Sequence, residues 1–105
     1  MLFFHIPMPE YVTLYNEYPF YGQCSNVSCW SVNTGLFAAI IEQPTVNWVS
    51  VGHNHGSDSY GAYQGVILGF GRKTGYGGTS SSRLKKGARV FEITLEPYSI
   101  DTWIR

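Results

Sequence analysis

Apolar residues in this chain fall in short runs separated by stretches rich in Gly, Pro, Ser, Asn and Tyr. Leu2-Phe3-Phe4-His5-Ile6 reads as a strand, and Val46-Asn47-Trp48-Val49-Ser50-Val51 and Gly65-Val66-Ile67-Leu68-Gly69-Phe70 read as buried strands, because β-branched and aromatic residues are bounded by turn formers. Ala88 to Leu95 alternates so that Phe91, Ile93 and Leu95 share a face. Pro97-Tyr98 then turns the chain, and Ile100-Asp101-Thr102-Trp103-Ile104 pairs back with Ile100, Thr102 and Ile104 on one side. One helix is predicted over Thr34 to Glu42, capped by Asn33 or Thr34, striped by Leu36, Phe37, Ile40 and Ile41, and stopped before Pro44. Between Ile6 and Asn33, Pro7 and Pro9 deny ladder donors and the helical region to their neighbours. That stretch is expected to be irregular but packed by aromatics, with Tyr11, Tyr15, Tyr18 and Tyr21 covering the core edge. The predicted order is strand, long loop, short helix, strand, loop, strand, Gly-rich loop, strand, turn, strand. There are no internal repeats, and Gly69 to Gly87 is rich in Gly and Ser without being a separate linker.

A chain of 105 residues makes one domain at most, and at this size only ~60 to 65% of the unfolded surface is buried. Charged residues are 13% of the chain against 44% hydrophobic and 16% aromatic, where ~25% charged is ordinary. Much apolar surface thus has little charge to solvate it. Net charge is zero, so neither nucleic acid nor an anionic membrane surface is an expected partner, and Arg83-Leu84-Lys85-Lys86 reads as a solvated loop. No apolar stretch reaches ~18 residues, so no membrane span is expected. Met1-Leu2-Phe3-Phe4 lacks a basic region and a cleavage site, and any targeting signal would lie upstream.

Cys24 and Cys29 frame Asn26-Val27-Ser28, a glycosylation acceptor pattern at Asn26. The pair can close a small disulfide loop, or Cys24 can be a free thiol. Together with the acceptor pattern it favours an oxidising compartment, secreted or vesicular and lysosomal. A zinc site is the weaker reading, since no nearby residue completes four ligands.

The chemistry lies in the histidines. His53 and His55 end an apolar run inside Gly52-His53-Asn54-His55-Gly56, and His5 ends another just before Pro7. Side chains at i and i+2 of an extended chain point the same way, so the pair is expected to aim two imidazoles at one point. Surface decoration is the bland alternative. The third histidine at a second strand end argues for convergence, because α/β folds place ligands on loops at the carboxyl ends of adjacent strands.

Six segments in order carry a resemblance: Phe4-His5-Ile6-Pro7-Met8-Pro9-Glu10-Tyr11, Val32-Asn33-Thr34-Gly35-Leu36-Phe37-Ala38-Ala39, Gly52-His53-Asn54-His55, Gly71-Arg72-Lys73-Thr74-Gly75-Tyr76-Gly77-Gly78, Gly87-Ala88-Arg89-Val90-Phe91-Glu92-Ile93 and Thr102-Trp103-Ile104-Arg105. The chain resembles the calcineurin-like metallophosphoesterases, in the purple-acid-phosphatase-like branch. The resemblance implies an α/β fold. Residues 1–105 would be the C-terminal half of the domain, part of a four-layer α/β/β/α sandwich, mostly strands with one short helix. It also implies two divalent or trivalent metal ions, Fe, Zn or Mn, held in the family by Asp-x-His, Gly-Asp and Gly-Asn-His motifs of the N-terminal half and by a His and a Gly-His-x-His of the C-terminal half. Only the last two motifs are present.

Carried over by position, His5 and His53 would bind one metal and His55 the other. In the completed family site such a pair activates a hydroxide for hydrolysis of phosphomonoesters. The branch pattern Gly-His-Asp-His-x-Asn-Asp is here Gly52-His53-Asn54-His55-Gly56-Ser57-Asp58. Asn54 is expected to support a metal-binding ring without charge. Asp58 is expected either to do likewise or to brace the loop, and the brace is favoured because Ser57-Asp58-Ser59 is ordinary turn chemistry. Arg72, Lys73 and Tyr76 are candidates for meeting a phosphate, or merely part of a tight-turning loop. The following Thr79-Ser80-Ser81-Ser82 departs from the family's more aromatic version. Glu10 and Arg89 read as structural polar groups.

The expected partners are the N-terminal half of the same domain or another copy of this chain, with a phosphate ester as substrate. Alone, the chain is expected not to turn over. A non-catalytic assembly role, using the aromatic, weakly charged surface, is the alternative, and a small independent β-rich module with incidental histidines is the third possibility.

Overall fold

The structure, a computed structural model, describes residues 1–29, 32–79 and 83–105. Its elements are β1 (Leu2–Phe4), α1 (Glu10–Glu17), α2 (Leu36–Ile41), β2 (Trp48–Val51), β3 (Tyr60–Tyr63), β4 (Val66–Phe70), β5 (Arg89–Leu95) and β6 (Tyr98–Ile104). Four strands form one sheet in the order β1-β2-β4-β3, and β5 pairs with β6 in a second. β1, β2 and β4 run parallel, while β3 runs antiparallel to β4. The fold is a compact mixed α/β unit, mostly strands.

Alternation sorts each strand between two faces. Val49, Val51, Val66, Leu68 and Phe70 point to the helical side and form the core with Met8, Tyr11, Leu14, Phe37 and Ile40. Trp48 points the other way, to Phe91 of β5, with ring centroids 5.3 Å apart. Phe3 meets the same ring at 5.7 Å. Helices, the four-stranded sheet and the hairpin therefore stack as three layers. The radius of gyration, 13.6 Å, is close to the ~13 Å of an independently packed chain of this size.

Helix α1 and strand β3 fall where loop was expected. Pro9 stands at the N-cap of α1, where a missing N–H costs nothing and a fixed φ suits helix entry. Tyr11 and Leu14, three apart, are its buried residues. The Tyr11 hydroxyl lies 3.0 Å from the Val49 carbonyl and 3.2 Å from that of Gly69, and the Tyr15 hydroxyl donates to Leu68 at 3.3 Å. Two tyrosines assigned to the core edge thus anchor a helix onto the central strands.

Helix α2 is shorter than expected. Its N-cap is Gly35, in the left-handed region, with Asn33 Oδ1 accepting the Gly35 N–H at 3.0 Å. Only Phe37 and Ile40 of its stripe are buried, while Leu36 and Ile41 are exposed. Strand β6 begins at Tyr98 rather than Ile100, so the hairpin turn is Glu96-Pro97. Phe91 packs as the alternation requires, but Ile93 and Leu95 on the same face are exposed.

A candidate histidine site at the strand ends

Parallel pairing decides where the histidines go. Phe4 lies opposite Val51, and Val51 opposite Phe70, so the chain leaves all three strands at one edge. His5 follows β1, Gly52-His53 follows β2 and Gly71-Arg72-Lys73 follows β4. The His5 and His53 rings meet edge to face, centroids 5.3 Å apart and planes at 81°. Gly52 permits this approach: its N–H donates to the His5 carbonyl at 3.1 Å, and an added Cβ would stand 3.3 Å from His5 Nδ1. The three histidines line one cleft of about 270 Å³ with Gly71, Arg72 and Lys73.

The two histidines of the pair do not share an extended backbone. Strand β2 ends at Val51, and His53 has φ 65°, a left-handed turn conformation tolerated by few side chains besides Gly, Asn, Asp and His. The i, i+2 argument therefore fails here. It is the turn that brings His53 to His5, while the exposed His55 contacts the Thr79 carbonyl through Nδ1 at 2.5 Å.

The polar residues behind the histidines are committed elsewhere. Asn54, expected to support a ring, instead donates through Nδ2 to Ser28 Oγ at 3.1 Å and accepts the Ser28 N–H at 3.4 Å. It ties the histidine turn to the loop carrying Asn26. Asp58 is the brace. Its Oδ1 accepts the Gln23 N–H at 2.8 Å, and its Oδ2 accepts from Arg72 Nε at 3.1 Å and from Arg72 Nη2. Arg72 further donates through Nη1 to the Lys85 carbonyl at 2.7 Å, so the guanidinium that is a candidate for a phosphate is held by Asp58 and the Lys85 backbone. Lys73 donates to the carbonyl of Gly77 at 2.8 Å, and Tyr76 is exposed. The Ser80-Ser81-Ser82 departure lies outside the described residues.

Arg89 and Glu10 fit their structural reading. Arg89 donates to the carbonyls of Phe70 and Asp58 and to Thr102, and lies over the Tyr60 ring at 5.0 Å. Burial lowers its pKa while Asp58 opposes the change. Glu10 accepts from Asn33 at 3.2 Å. Cys24 and Cys29 are unbonded in this structure, and burial raises the Cys24 pKa. Asn26 is exposed, and its amide donates to Ser28 Oγ at 3.2 Å. The Ser28–Asn54 and Thr79–His55 contacts had no sequence signal, because they join distant loops.

Among the described residues no three His, Cys, Asp or Glu side chains are grouped so as to hold a metal ion. Alone, these residues do not fit a metal pair: no Asp or Glu lines the histidine cleft among the described residues, and Asp58 is engaged by Arg72.

Three curated plant proteins match 98% of the chain: "Probable inactive purple acid phosphatase 29", 14 and 28 of Arabidopsis thaliana, at 30%, 28% and 33% identity. The match covers 27%, 26% and 26% of their lengths, so the chain spans about a quarter of the relatives it matches. No family model and no solved structure matches it. The ordered segments and nearly end-to-end similarity agree: over 98% of its length the chain is similar to purple-acid-phosphatase-like proteins, as a stretch consistent with their C-terminal portion.

Proposed function

We propose that the chain is the histidine-bearing portion of a dinuclear metallophosphoesterase domain, inactive as an isolated polypeptide. The single observation that carries this is the meeting of His5 and His53 at the carboxyl ends of neighbouring parallel strands. In this reading they supply two donors, with His55 beside them, and a second portion of the domain supplies the carboxylates and closes the four-layer sandwich. The completed centre, holding Fe, Zn or Mn, would hydrolyse phosphomonoesters through a metal-activated hydroxide. The site would lie in a secreted or vesicular protein, glycosylated at Asn26.

Titration of the chain with Zn²⁺, followed through the ring signals of its histidines, tests the donor assignment. Weak binding that moves His5 and His53 together, with no hydrolysis of p-nitrophenyl phosphate, is the expected result. Independent responses of the two rings, or clear turnover by the chain alone, would contradict it. Expression through a secretory pathway should add glycan mass that Asn26→Gln removes; an unmodified secreted chain would refute that part.

The second reading is a non-catalytic assembly role. Two observations favour it: the relatives are named inactive, and Arg72, the strongest candidate for a phosphate, is held by Asp58. It predicts that joining the chain to the missing portion yields an ordered complex without transition metal.

A further inference from the structure

The cleft at the strand ends lacks the carboxylates of a metal pair, but it carries two cations, Arg72 and Lys73. Arg72 is matched by Asp58. Lys73 has no carboxylate partner among the described residues. Its ammonium gives one N–H to the Gly77 carbonyl at 2.8 Å, and an ammonium has three to give. Thr74 and Gly75 continue the same wall. The amides of Lys73, Thr74 and Gly75 donate to no backbone carbonyl among the described residues, whereas that of Gly71 is engaged by Val51. One loop thus brings an unneutralised charge and three successive unpaired N–H groups to the cleft.

We propose that Lys73-Thr74-Gly75 is an oxyanion-binding site that works without metal and takes a phosphoryl group, either as inorganic phosphate or as the end of a monoester. It uses the loop after β4 rather than the histidines as donors. It therefore stands whether or not the chain is part of a dinuclear centre.

Charge selects an anion. In a chain of zero net charge this wall is locally positive, and hydrogen bonds from an ammonium to an anion are roughly twice as strong as neutral ones. The number of donors selects a tetrahedral oxyanion. Successive amides and an ammonium converge usefully only on a small group that offers several acceptor oxygens. Size agrees, since the cleft of about 270 Å³ is smaller than the ~300 to 1,000 Å³ of pockets that bury drug-sized ligands.

The test is a titration of the metal-stripped chain with inorganic phosphate, read through the backbone amide signals, beside potassium chloride at matched ionic strength. Saturable shifts centred on Lys73, Thr74 and Gly75 are expected with phosphate and not with chloride. Lys73→Gln should weaken binding about tenfold, as the loss of one charge-assisted hydrogen bond requires. Lys73→Arg should retain it, and both variants should keep the parent's circular dichroism. Glycerol phosphate is the second arm, because His53, Asn54 and His55 also border a polar hollow of about 420 Å³ with room for the alcohol. Shifts at the same amides support a monoester as ligand, and a response to inorganic phosphate alone supports the free anion. Shifts that miss these amides, an equal response to chloride, or a Lys73→Gln chain that binds as its parent does overturns the site. So does phosphate binding that appears only after Zn²⁺ is added, an outcome that leaves the histidine-donor reading standing.

Discussion

The Arg72 guanidinium is clasped by the carboxylate of Asp58, tying the loop after β4 to the turn before β3. Both side chains are largely buried, and Asp58 also holds the Gln23 N–H. Removing one partner leaves the other charge without compensation, a loss of roughly 3 to 5 kcal/mol in buried pairs. Asp58→Ala and Arg72→Ala should each lower the urea midpoint sharply, and the double variant should lose less than the sum. Additive losses would show that the pair is not coupled.

His53 gives a prediction about backbone rather than chemistry. Its φ of 65° suits Asn nearly as well as His but costs a β-branched residue about 1 to 2 kcal/mol. His53→Asn should melt close to the parent and His53→Val several degrees lower. Equal melting would mean that the turn relaxes freely.

Tyr11 makes stability depend on alkaline pH. Burial, reinforced by Tyr15, holds its hydroxyl well above the usual tyrosine range. A group whose folded pKa is raised contributes fully below its unfolded pKa of about 10, and that contribution is lost as pH rises above it, by up to about 1.4 kcal/mol per pH unit. Denaturant midpoints should therefore fall steeply above pH 10. Tyr11→Phe should start less stable and fall less steeply; an unchanged slope would remove Tyr11 as the cause.

Gly61 marks the close approach of β3 to the segment after α1. An added Cβ would stand 2.9 Å from the Pro19 carbonyl oxygen and 3.1 Å from Phe20 Cβ. Gly61→Ala should cost about 1 to 3 kcal/mol, whereas Gly65→Ala meets no such neighbour and carries only its positive φ. If spacing governs, Gly61→Ala shows the larger loss in chemical denaturation.

Strand β2, strand β4, the β5–β6 hairpin and the three histidines at strand ends were legible in the chain, because period-two apolar patterning and turn formers act locally. Helix α1 was not, because Pro9 serves equally as a breaker and as a helix start. What selects the helix is the burial of Tyr11 and Leu14 against strands far along the chain. Turn chemistry favoured a brace at Asp58, but sequence could not foresee Arg72 as its partner. Side-chain type and spacing thus determined which groups this protein carries and roughly where its strands lie. Parallel pairing of β1 with β2 decided that His5 meets His53, and packing of the loop after β4 decided that Arg72 meets Asp58, since both depend on contacts that close only when distant segments pack.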